Sequence, residues 1–430
     1  MKSERESQPE TQQETLTRAI GTFGLAAGII NVMIGGGIFR VPALVAASLG
    51  PAAPIAYVMC AVAMALIVSC IASAGKRVTL TGGPYAYVGT ALGPYAGFIS
   101  GVLLWMIGMF ATAAVSSVMA SSIVELIPAL SGRGMHGAIL AVAFGFWTGI
   151  NMRGVKVGVS LNTVVTIAKL LPLVLLAGVG VFFVRGENLQ IVTSPAPADF
   201  ARMSLILVFA FAGIEVALIP SGEVRDPERT LPRAIALAMI GATILYIALQ
   251  VVAQGILGPA LAKSTVPLAD AAGASLGGWA RSLLLAGAAV SMFGHLGGMT
   301  LSIPRILYAM ARDGYLPRAL SAVDATYRAP QRAIITQSIL TLALAITSSF
   351  EQLAVIANVS ALALYLGCAI AAWRLGQSPI VPALACGVIA WLLTGVTPNE
   401  WMAFTVCVAA GSVIYFLRRP AGAASARARS

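Results

Sequence analysis

The chain has 430 residues, of which 58% are hydrophobic and 10% are charged, and its mean hydropathy is +0.89. A soluble domain carries about a quarter charged residues, so this composition excludes a large water-soluble protein and indicates one that crosses a lipid bilayer. The formal net charge is +11, but the charges stand in short clusters between apolar runs, as the positive-inside rule predicts, and this distribution argues against nucleic-acid binding.

Twelve apolar spans are predicted in chain order, because charge-poor runs recur at lengths near the roughly 20 residues that cross a bilayer. A polar segment, residues 1–17, precedes them without a cleavable signal pattern, and a short basic tail, residues 418–430, follows. The predicted spans run about 20–47, 52–74, 91–127, 136–151, 157–184, 201–222, 232–257, 276–311, 334–349, 352–374, 379–395 and 401–417.

The Lys and Arg residues are divided unequally between the two sides of the predicted membrane. Twenty of the 27 lie on one side, six lie on the other side or at its helix ends, and Lys169 lies inside the fifth span. Positive loops stay in the cytoplasm. The sequence therefore predicts a multi-pass protein of the cell membrane with both termini in the cytoplasm.

The five cysteines all lie within apolar runs, with no spacing typical of a metal site. We interpret them as small apolar residues at helix contacts. No metal and no cofactor is predicted. A catalytic pair at membrane depth is also missing from the sequence pattern, so we expect a protein that is not an enzyme and has no catalytic residue.

Two spans are predicted to be broken in the middle. Residues 35–37 are three consecutive glycines within the first span, and each weakens a helix by about 1 kcal/mol relative to Ala. Close packing of small residues is the alternative explanation, but one packing face does not need three adjacent glycines. The sixth span has a milder counterpart at residues 209–215, which contains Gly213 and the acid Glu215.

Interrupted helices at matching positions of two halves indicate a transporter site at an inverted-repeat interface. The N–H groups at the start of a half-helix favour a carboxylate, and the carbonyls at the end of the other half-helix accept hydrogen bonds from an ammonium. One broken pair of helices is thus expected to bind both ends of a zwitterion.

Three ionisable residues within the spans are candidates for coupling to protons. Glu215 is interpreted either as a proton-binding gate or as a hydrogen-bonding anchor between helices, since a carboxylate at membrane depth is costly. Lys169 either carries a function or extends its side chain towards the interface. His295 is either a proton-linked residue or a partner in a helix–helix hydrogen bond.

Several motifs in chain order resemble the amino acid–polyamine–organocation (APC) transporters. This resemblance covers about residues 20–375 and implies an all-α integral membrane protein with about 12 transmembrane helices, in which a LeuT-like five-plus-five inverted repeat is followed by two further helices. Ser73 and Thr79 depart from the usual glutamate and proline of the family, which puts the subfamily in doubt. The motifs are residues 34–39 (IGGGIF), 80–87 (LTGGPYAY), 91–98 (ALGPYAGF), 209–215 (FAFAGIE) and 305–317 (RILYAMARDGYLP).

The resemblance also implies a division of the chain. Residues 18–185 are expected to form the first repeat, residues 199–375 the second repeat, and residues 379–417 the last two helices. By the same resemblance the substrate meets backbone groups, an aromatic cap on the sixth helix (Phe209) and an apolar side chain on the eighth (Met299). The expected backbone contributors are Met33, Gly35, Gly36, Gly37 and Ala212.

In sodium-independent members of this family, a lysine on the fifth helix places its ammonium where related proteins bind sodium. Lys169 is at the matching place, so transport is expected to be independent of sodium. The substrate is expected to be an amino acid or related amine, with neutral, aliphatic amino acids favoured because no acidic cluster apart from Glu215 stands out. Proton-coupled symport or exchange is the leading prediction; an exporter, or an antiporter of polyamines or cationic amino acids, is the alternative.

Overall fold

The computed structural model describes residues 21–78, 84–153, 159–191, 194–213, 226–324, 326–327 and 329–418. Within these ranges the secondary structure is helical and contains no strand. The α-helices are α1 Thr22–Met33, α2 Gly37–Leu49, α3 Ala53–Arg77, α4 Pro84–Leu92, α5 Pro94–Leu126, α6 Met135–Met152, α7 Val159–Gly180, α8 Pro197–Phe211, α9 Pro227–Leu257, α10 Pro267–Leu276, α11 Gly278–Ser302, α12 Pro304–Arg312, α13 Gln331–Thr347, α14 Phe350–Arg374, α15 Ile380–Leu393 and α16 Pro398–Leu417.

These helices confirm that the protein is an all-helical membrane protein. In the part of the chain that the structure describes, seven helical stretches are long and apolar enough to cross a bilayer, and three shorter apolar helices accompany them. The total of twelve transmembrane helices stays a prediction. The seven stretches are Gly37–Gly75, Pro94–Leu126, Met135–Met152, Arg229–Lys263, Gly278–Arg312, Phe350–Arg374 and Pro398–Leu417.

Two short helices were not predicted as separate elements. Helix α4 precedes α5, and helix α10 precedes α11; in each case a glycine with positive φ separates the two helices, Gly93 at 95° and Gly277 at 91°. Proline at the start and glycine after the end are ordinary helix boundary signals. The two short helices occupy matching places, before the third and before the eighth predicted span.

Contacts between a helix of the first half of the chain and a helix of the second half have counterparts between the equivalent helices of the opposite halves. Helix α5 packs against α11, α13 and α14, while α11 packs against α5, α6 and α7. Likewise α1 packs against α9, and α3 packs against α8. An inverted repeat would produce this pairing, although the exact division at residues 18–185 and 199–375 stays a prediction.

One end of the helix bundle holds ion pairs between helix ends. The guanidinium of Arg202 on α8 forms hydrogen bonds of 2.7 and 2.8 Å with the two carboxylate oxygens of Glu400, and one of 3.1 Å with Glu351. Arg281 on α11 lies 2.7 Å from Glu125 and 3.1 Å from Asp270. Both arginines belong to the six basic residues on the predicted Lys- and Arg-poor side. These ion pairs link the ends of five helices, α5, α8, α11, α14 and α16, and the short helix α10.

Candidate functional site

The first predicted break is confirmed. Helix α1 ends at Met33, and α2 begins at Gly37. Ile34 has φ −76° and ψ 72°, which is not helical, and the Gly35 N–H turns back to donate a 2.7 Å hydrogen bond to the Met33 carbonyl. The backbone is therefore non-helical for about one turn in the middle of the first span.

This break exposes hydrogen-bond donors at the start of α2. Among the described residues, no backbone or side-chain acceptor is bonded to the N–H groups of Gly36 and Gly37. The first N–H groups of any helix lack intrahelical partners, and the helix dipole makes this end attractive to an anion. The start of α2 can thus accept a carboxylate.

The second break lies at the end of α8. Phe211 is the last helical residue; Ala212 is extended, with φ −69° and ψ 160°, and Gly213 has φ 105°. The carbonyl end of α8, where the helix dipole is negative, therefore lies at this break. Residues 214–225, including Glu215, lie outside the described residues.

The two breaks lie against each other. A Cβ placed on Gly37 would be 3.0 Å from Cδ1 of Phe209 and 3.4 Å from Cα of Ala210. The absence of a side chain at Gly37 thus lets the start of α2 approach the last turn of α8 closely without displacing the Phe209 ring. The N–H donors at the start of α2 therefore lie beside the carbonyl end of α8.

A tyrosine that was not predicted joins the two breaks. Tyr246 on α9 is fully buried, and its hydroxyl donates to the carbonyl of Met33 at 3.0 Å and to the carbonyl of Ala210 at 2.8 Å. Its ring also makes an edge contact with Phe211, with 5.3 Å between ring centroids. One side chain from a third helix thus contacts both broken helices where they stop.

Apolar side chains surround the first break. A Cβ on Gly36 would lie 3.0 Å from both γ-methyl groups of Val115 on α5 and 3.2 Å from the sulfur of Met292 on α11. The ring of Phe209 packs edge-on against Phe350 on α14, with 5.4 Å between centroids. These four side chains give the described surroundings of the breaks an aliphatic and aromatic character, beside the hydroxyl of Tyr246.

The remaining predicted residues lie in different places. Met299 is half-buried on α11, seven residues after Met292, which corresponds to about 10 Å along a helix. His295 is half-buried on the same helix. Lys169 belongs to α7, but its side chain lies outside the described residues. The structure thus brings Met33, Gly36, Gly37 and Phe209 together, with Ala212 at the end of α8.

Tyr246, Val115, Met292 and Phe350 were missed by sequence reasoning. Each stands in an ordinary apolar helix without a motif of its own, and Tyr246 is 213 residues from Met33. The only signal that could have suggested Tyr246 is its polar hydroxyl, since a buried tyrosine usually needs a hydrogen-bond partner.

The chain is similar to known membrane transporters over nearly its whole length. The model of the family described as "Amino acid permease" matches residues 20–418. The methylthioribose transporter of Bacillus subtilis is 26% identical over 95% of both chains. From the same organism, the branched-chain amino acid permease BcaP is 25% identical over 94% of both chains, and the serine/threonine exchanger SteT is 30% identical over 80% of both chains.

Proposed function

The chain belongs to the amino acid permease family of multi-pass membrane transporters, and on that premise we propose that it is a secondary active carrier of neutral, aliphatic amino acids. Transport proceeds by alternating access, without sodium, through proton-coupled symport or exchange. The protein lies in the plasma or inner membrane of the cell, and both of its termini face the cytoplasm. The substrate site is the place where the two helix breaks meet.

The observation that carries this proposal is the pairing of opposite backbone polarity at the two breaks. The N–H groups of Gly36 and Gly37 stand at the positive end of α2, beside the carbonyl end of α8. A free amino acid carries a carboxylate and an ammonium on one carbon, so it matches both groups at once. This match supports an amino acid as the substrate.

The side chains near the breaks support a neutral, apolar substrate. Val115, Met292, Phe209 and Phe350 provide aliphatic and aromatic surface, and none of them carries a charge. Against these four side chains, a cationic group of the substrate would lose its hydration without gaining a counter-charge from them, which is costly. An aliphatic side chain would instead gain from leaving water, at roughly 25 cal/mol for each Å² of apolar surface buried.

A second candidate substrate is methylthioribose. The relative named for methylthioribose is matched over 95% of both chains, which is as complete as the match to the branched-chain amino acid permease. Methylthioribose is neutral and carries an apolar methylthio group, so the same apolar surface suits it. However, methylthioribose has neither a carboxylate to bind the amides at the start of α2 nor an ammonium to bind the carbonyl end of α8.

We assign the coupling roles to Lys169, Glu215 and His295. From the family resemblance we assign to Lys169 the fixed positive charge that takes the role of the sodium ion in sodium-coupled relatives, so no sodium ion is needed. Glu215 and His295 are the candidate proton carriers, because carboxylates and imidazoles inside membranes commonly serve in proton relays. Neutralising each residue in turn, as Lys169→Met, Glu215→Gln and His295→Gln, will show which one carries the proton dependence.

The substrate class is tested by thermal shift of the purified, full-length protein. Each of the twenty amino acids, agmatine, putrescine and methylthioribose is added separately, since a ligand that binds only the folded state raises the melting temperature. We expect valine, leucine or isoleucine to give the largest shift. A shift with agmatine or putrescine alone would favour the antiporter of cationic substrates, and a shift with methylthioribose alone would replace the amino acid.

Coupling and direction are tested in proteoliposomes with the compound that gives the largest shift. Uptake is compared in sodium and choline buffers at fixed pH, with and without a proton gradient, and with the vesicles empty or preloaded. We expect equal uptake in the two buffers and stimulation by either the proton gradient or the internal load. Uptake that rises with sodium at fixed pH would refute sodium independence.

A further inference from the structure

The hydroxyl of Tyr246 lies between two carbonyl oxygens that belong to different broken helices. Its oxygen is 3.0 Å from the Met33 carbonyl and 2.8 Å from the Ala210 carbonyl. Both carbonyls stand in the last turn of a helix, where the helix dipole is negative. A tyrosine hydroxyl has a single proton to donate, so the two negative helix ends share that proton.

Two converging helix carboxyl ends repel each other unless something positive stands between them. An ammonium group or a metal cation would satisfy this arrangement, and here the partial positive charge of a hydroxyl proton does so. The Met33 carbonyl also accepts the 2.7 Å hydrogen bond from Gly35, so both of its lone pairs are used. These contacts tie the shape of the first break to the position of α9.

The ring of Tyr246 is held in place from several sides. The side chain is fully buried, and Phe211 packs edge-on against the ring at 5.3 Å between centroids. Phe211 is itself the last residue of α8. The tyrosine therefore contacts the second break twice, through the Ala210 carbonyl and through the ring of Phe211.

We propose that Tyr246 is a positioning residue of the substrate site, whose hydroxyl holds the ends of α1 and α8 in one fixed relation. Tyr246 does not contact the substrate. It orients the Gly36 and Gly37 amides and the carbonyls that follow Ala210 so that both sets of groups face the same substrate molecule. It also occupies the position that would attract a cation between the two helix ends. This inference rests on the proposed function, because a site for a carboxylate and an ammonium needs both breaks in register.

Tyr57 provides a matched control from the same part of the molecule. It is also fully buried, and its hydroxyl donates a 3.1 Å hydrogen bond to the Oε1 atom of Gln250. Gln250 is on α9, one turn after Tyr246, but the Tyr57 hydroxyl touches neither break. Each substitution deletes one hydroxyl oxygen from a fully buried tyrosine, on α9 for Tyr246 and on α3 for Tyr57, so the two variants differ mainly in their contact with the breaks.

The test compares the full-length wild type with Tyr246→Phe and Tyr57→Phe. For each protein the melting temperature is measured without ligand, and the dissociation constant for radiolabelled L-valine and for L-serine is measured in choline buffer. We expect both variants to melt at lower temperature than the wild type. Only Tyr246→Phe should lose affinity, by about tenfold or more, while Tyr57→Phe stays within about twofold of the wild type.

A purely structural role for Tyr246 would produce no such split between stability and affinity. The inference is overturned if Tyr246→Phe binds within twofold of the wild type, or if Tyr57→Phe loses as much affinity as Tyr246→Phe. If the wild type binds neither L-valine nor L-serine nor any other of the twenty amino acids, the proposed function fails instead. The two failures are therefore distinguishable by the wild-type protein alone.

A second variant covers the case in which Tyr246→Phe does not fold. Phe211→Leu keeps the hydroxyl but removes the ring edge that orients Tyr246. We expect a smaller loss of affinity, about threefold to tenfold, because the hydroxyl still reaches both carbonyls with poorer alignment. If Tyr246→Phe does not fold and Phe211→Leu binds with unchanged affinity, Tyr246 has only a packing role. That result would overturn the inference.

Discussion

At the first break Gly36 has φ −61° and ψ −22°, values that any amino acid adopts, whereas at the second break Gly213 has φ 105°, which favours glycine. The space around Gly36 is occupied instead: Val115 and Met292 lie within 3.2 Å of the position of a Cβ. Glycine is needed at the first break because neighbouring helices come close, and at the second break because of the backbone conformation.

This difference bears on how the site works. The first break is held by side chains from other helices, so its shape changes when α5 or α11 moves relative to α2. At the second break the demand for glycine comes from the backbone dihedral angles of Gly213, and the described contacts of this break run to α9 rather than to α5 or α11. A carrier that alternates between two states needs contacts that change and contacts that persist, and we assign the first role to the surroundings of Gly36 and the second to Gly213.

The largest expected effect comes from filling the space at the first break with Gly36→Val. Both γ-methyl groups of Val115 lie 3.0 Å from the new Cβ, and a β-branched side chain has little freedom to turn away. Overpacking of this kind costs about 1–3 kcal/mol. Since the displaced amides are the proposed carboxylate site, a similar loss in binding means up to about a hundredfold lower affinity, measurable with radiolabelled L-valine.

Gly149→Val is the matched control for this prediction. Gly149 lies on α6 and is exposed, and a Cβ added there would have no atom within 4 Å. Valine and glycine differ little as helix formers when valine meets no neighbour, so stability should change by less than about 0.5 kcal/mol. Equal losses in Gly36→Val and Gly149→Val would show that space at the first break is not the reason for glycine there.

The second prediction concerns backbone conformation at the other break. Gly213→Ala places a Cβ on a residue with φ 105°, and a left-handed backbone costs a residue with a side chain about 1–2 kcal/mol. We expect a lower melting temperature and an affinity for L-valine reduced by about tenfold. If Gly213→Ala is as stable as the wild type, the backbone conformation at the second break does not require glycine.

A second-site substitution separates the two reasons. Val115→Ala removes both methyl groups that face Gly36, so it should partly restore stability to Gly36→Ala, with a favourable coupling of about 0.5 kcal/mol or more in a double-mutant cycle. The same substitution should add no benefit to Gly213→Ala, because that strain lies in the backbone itself. Equal rescue of both variants would remove the distinction between the breaks.

The sequence predicted the first break because a run of three glycines has a local cause that can be read without the fold. The long apolar helices were predictable for the same reason: composition over about 20 residues indicates a membrane span. The short helices α4 and α10 were missed as separate elements, although Pro84 and Pro267 start them and Gly93 and Gly277 follow them. Each has only about ten residues, too few for a span pattern.

The parts of the site that come from distant helices could not be predicted. Tyr246 contacts Met33 across 213 residues, and nothing in its neighbourhood distinguishes it from other residues of an apolar helix. On the eighth predicted span, the resemblance indicates Met299, which stays a prediction, while the structure places Met292 against Gly36. A choice between positions two turns apart depends on how α11 is rotated and shifted, which only the packed helices determine.

The smallest effect is expected from Gly37→Ala, where the neighbour can move. The new Cβ would lie 3.0 Å from Cδ1 of Phe209, a ring atom that a small tilt displaces, while the backbone of Ala210 stays at ordinary contact distance, 3.4 Å or more. The tilt weakens the edge contact with Phe350, and such aromatic pairs contribute about 0.5–1.5 kcal/mol. We therefore expect a cost of about 1 kcal/mol or less and an affinity for L-valine about threefold lower. If Gly37→Ala is as damaging as Gly36→Val, the Phe209 ring is fixed in place, and a fixed ring cannot serve as the aromatic cap that opens and closes over a substrate.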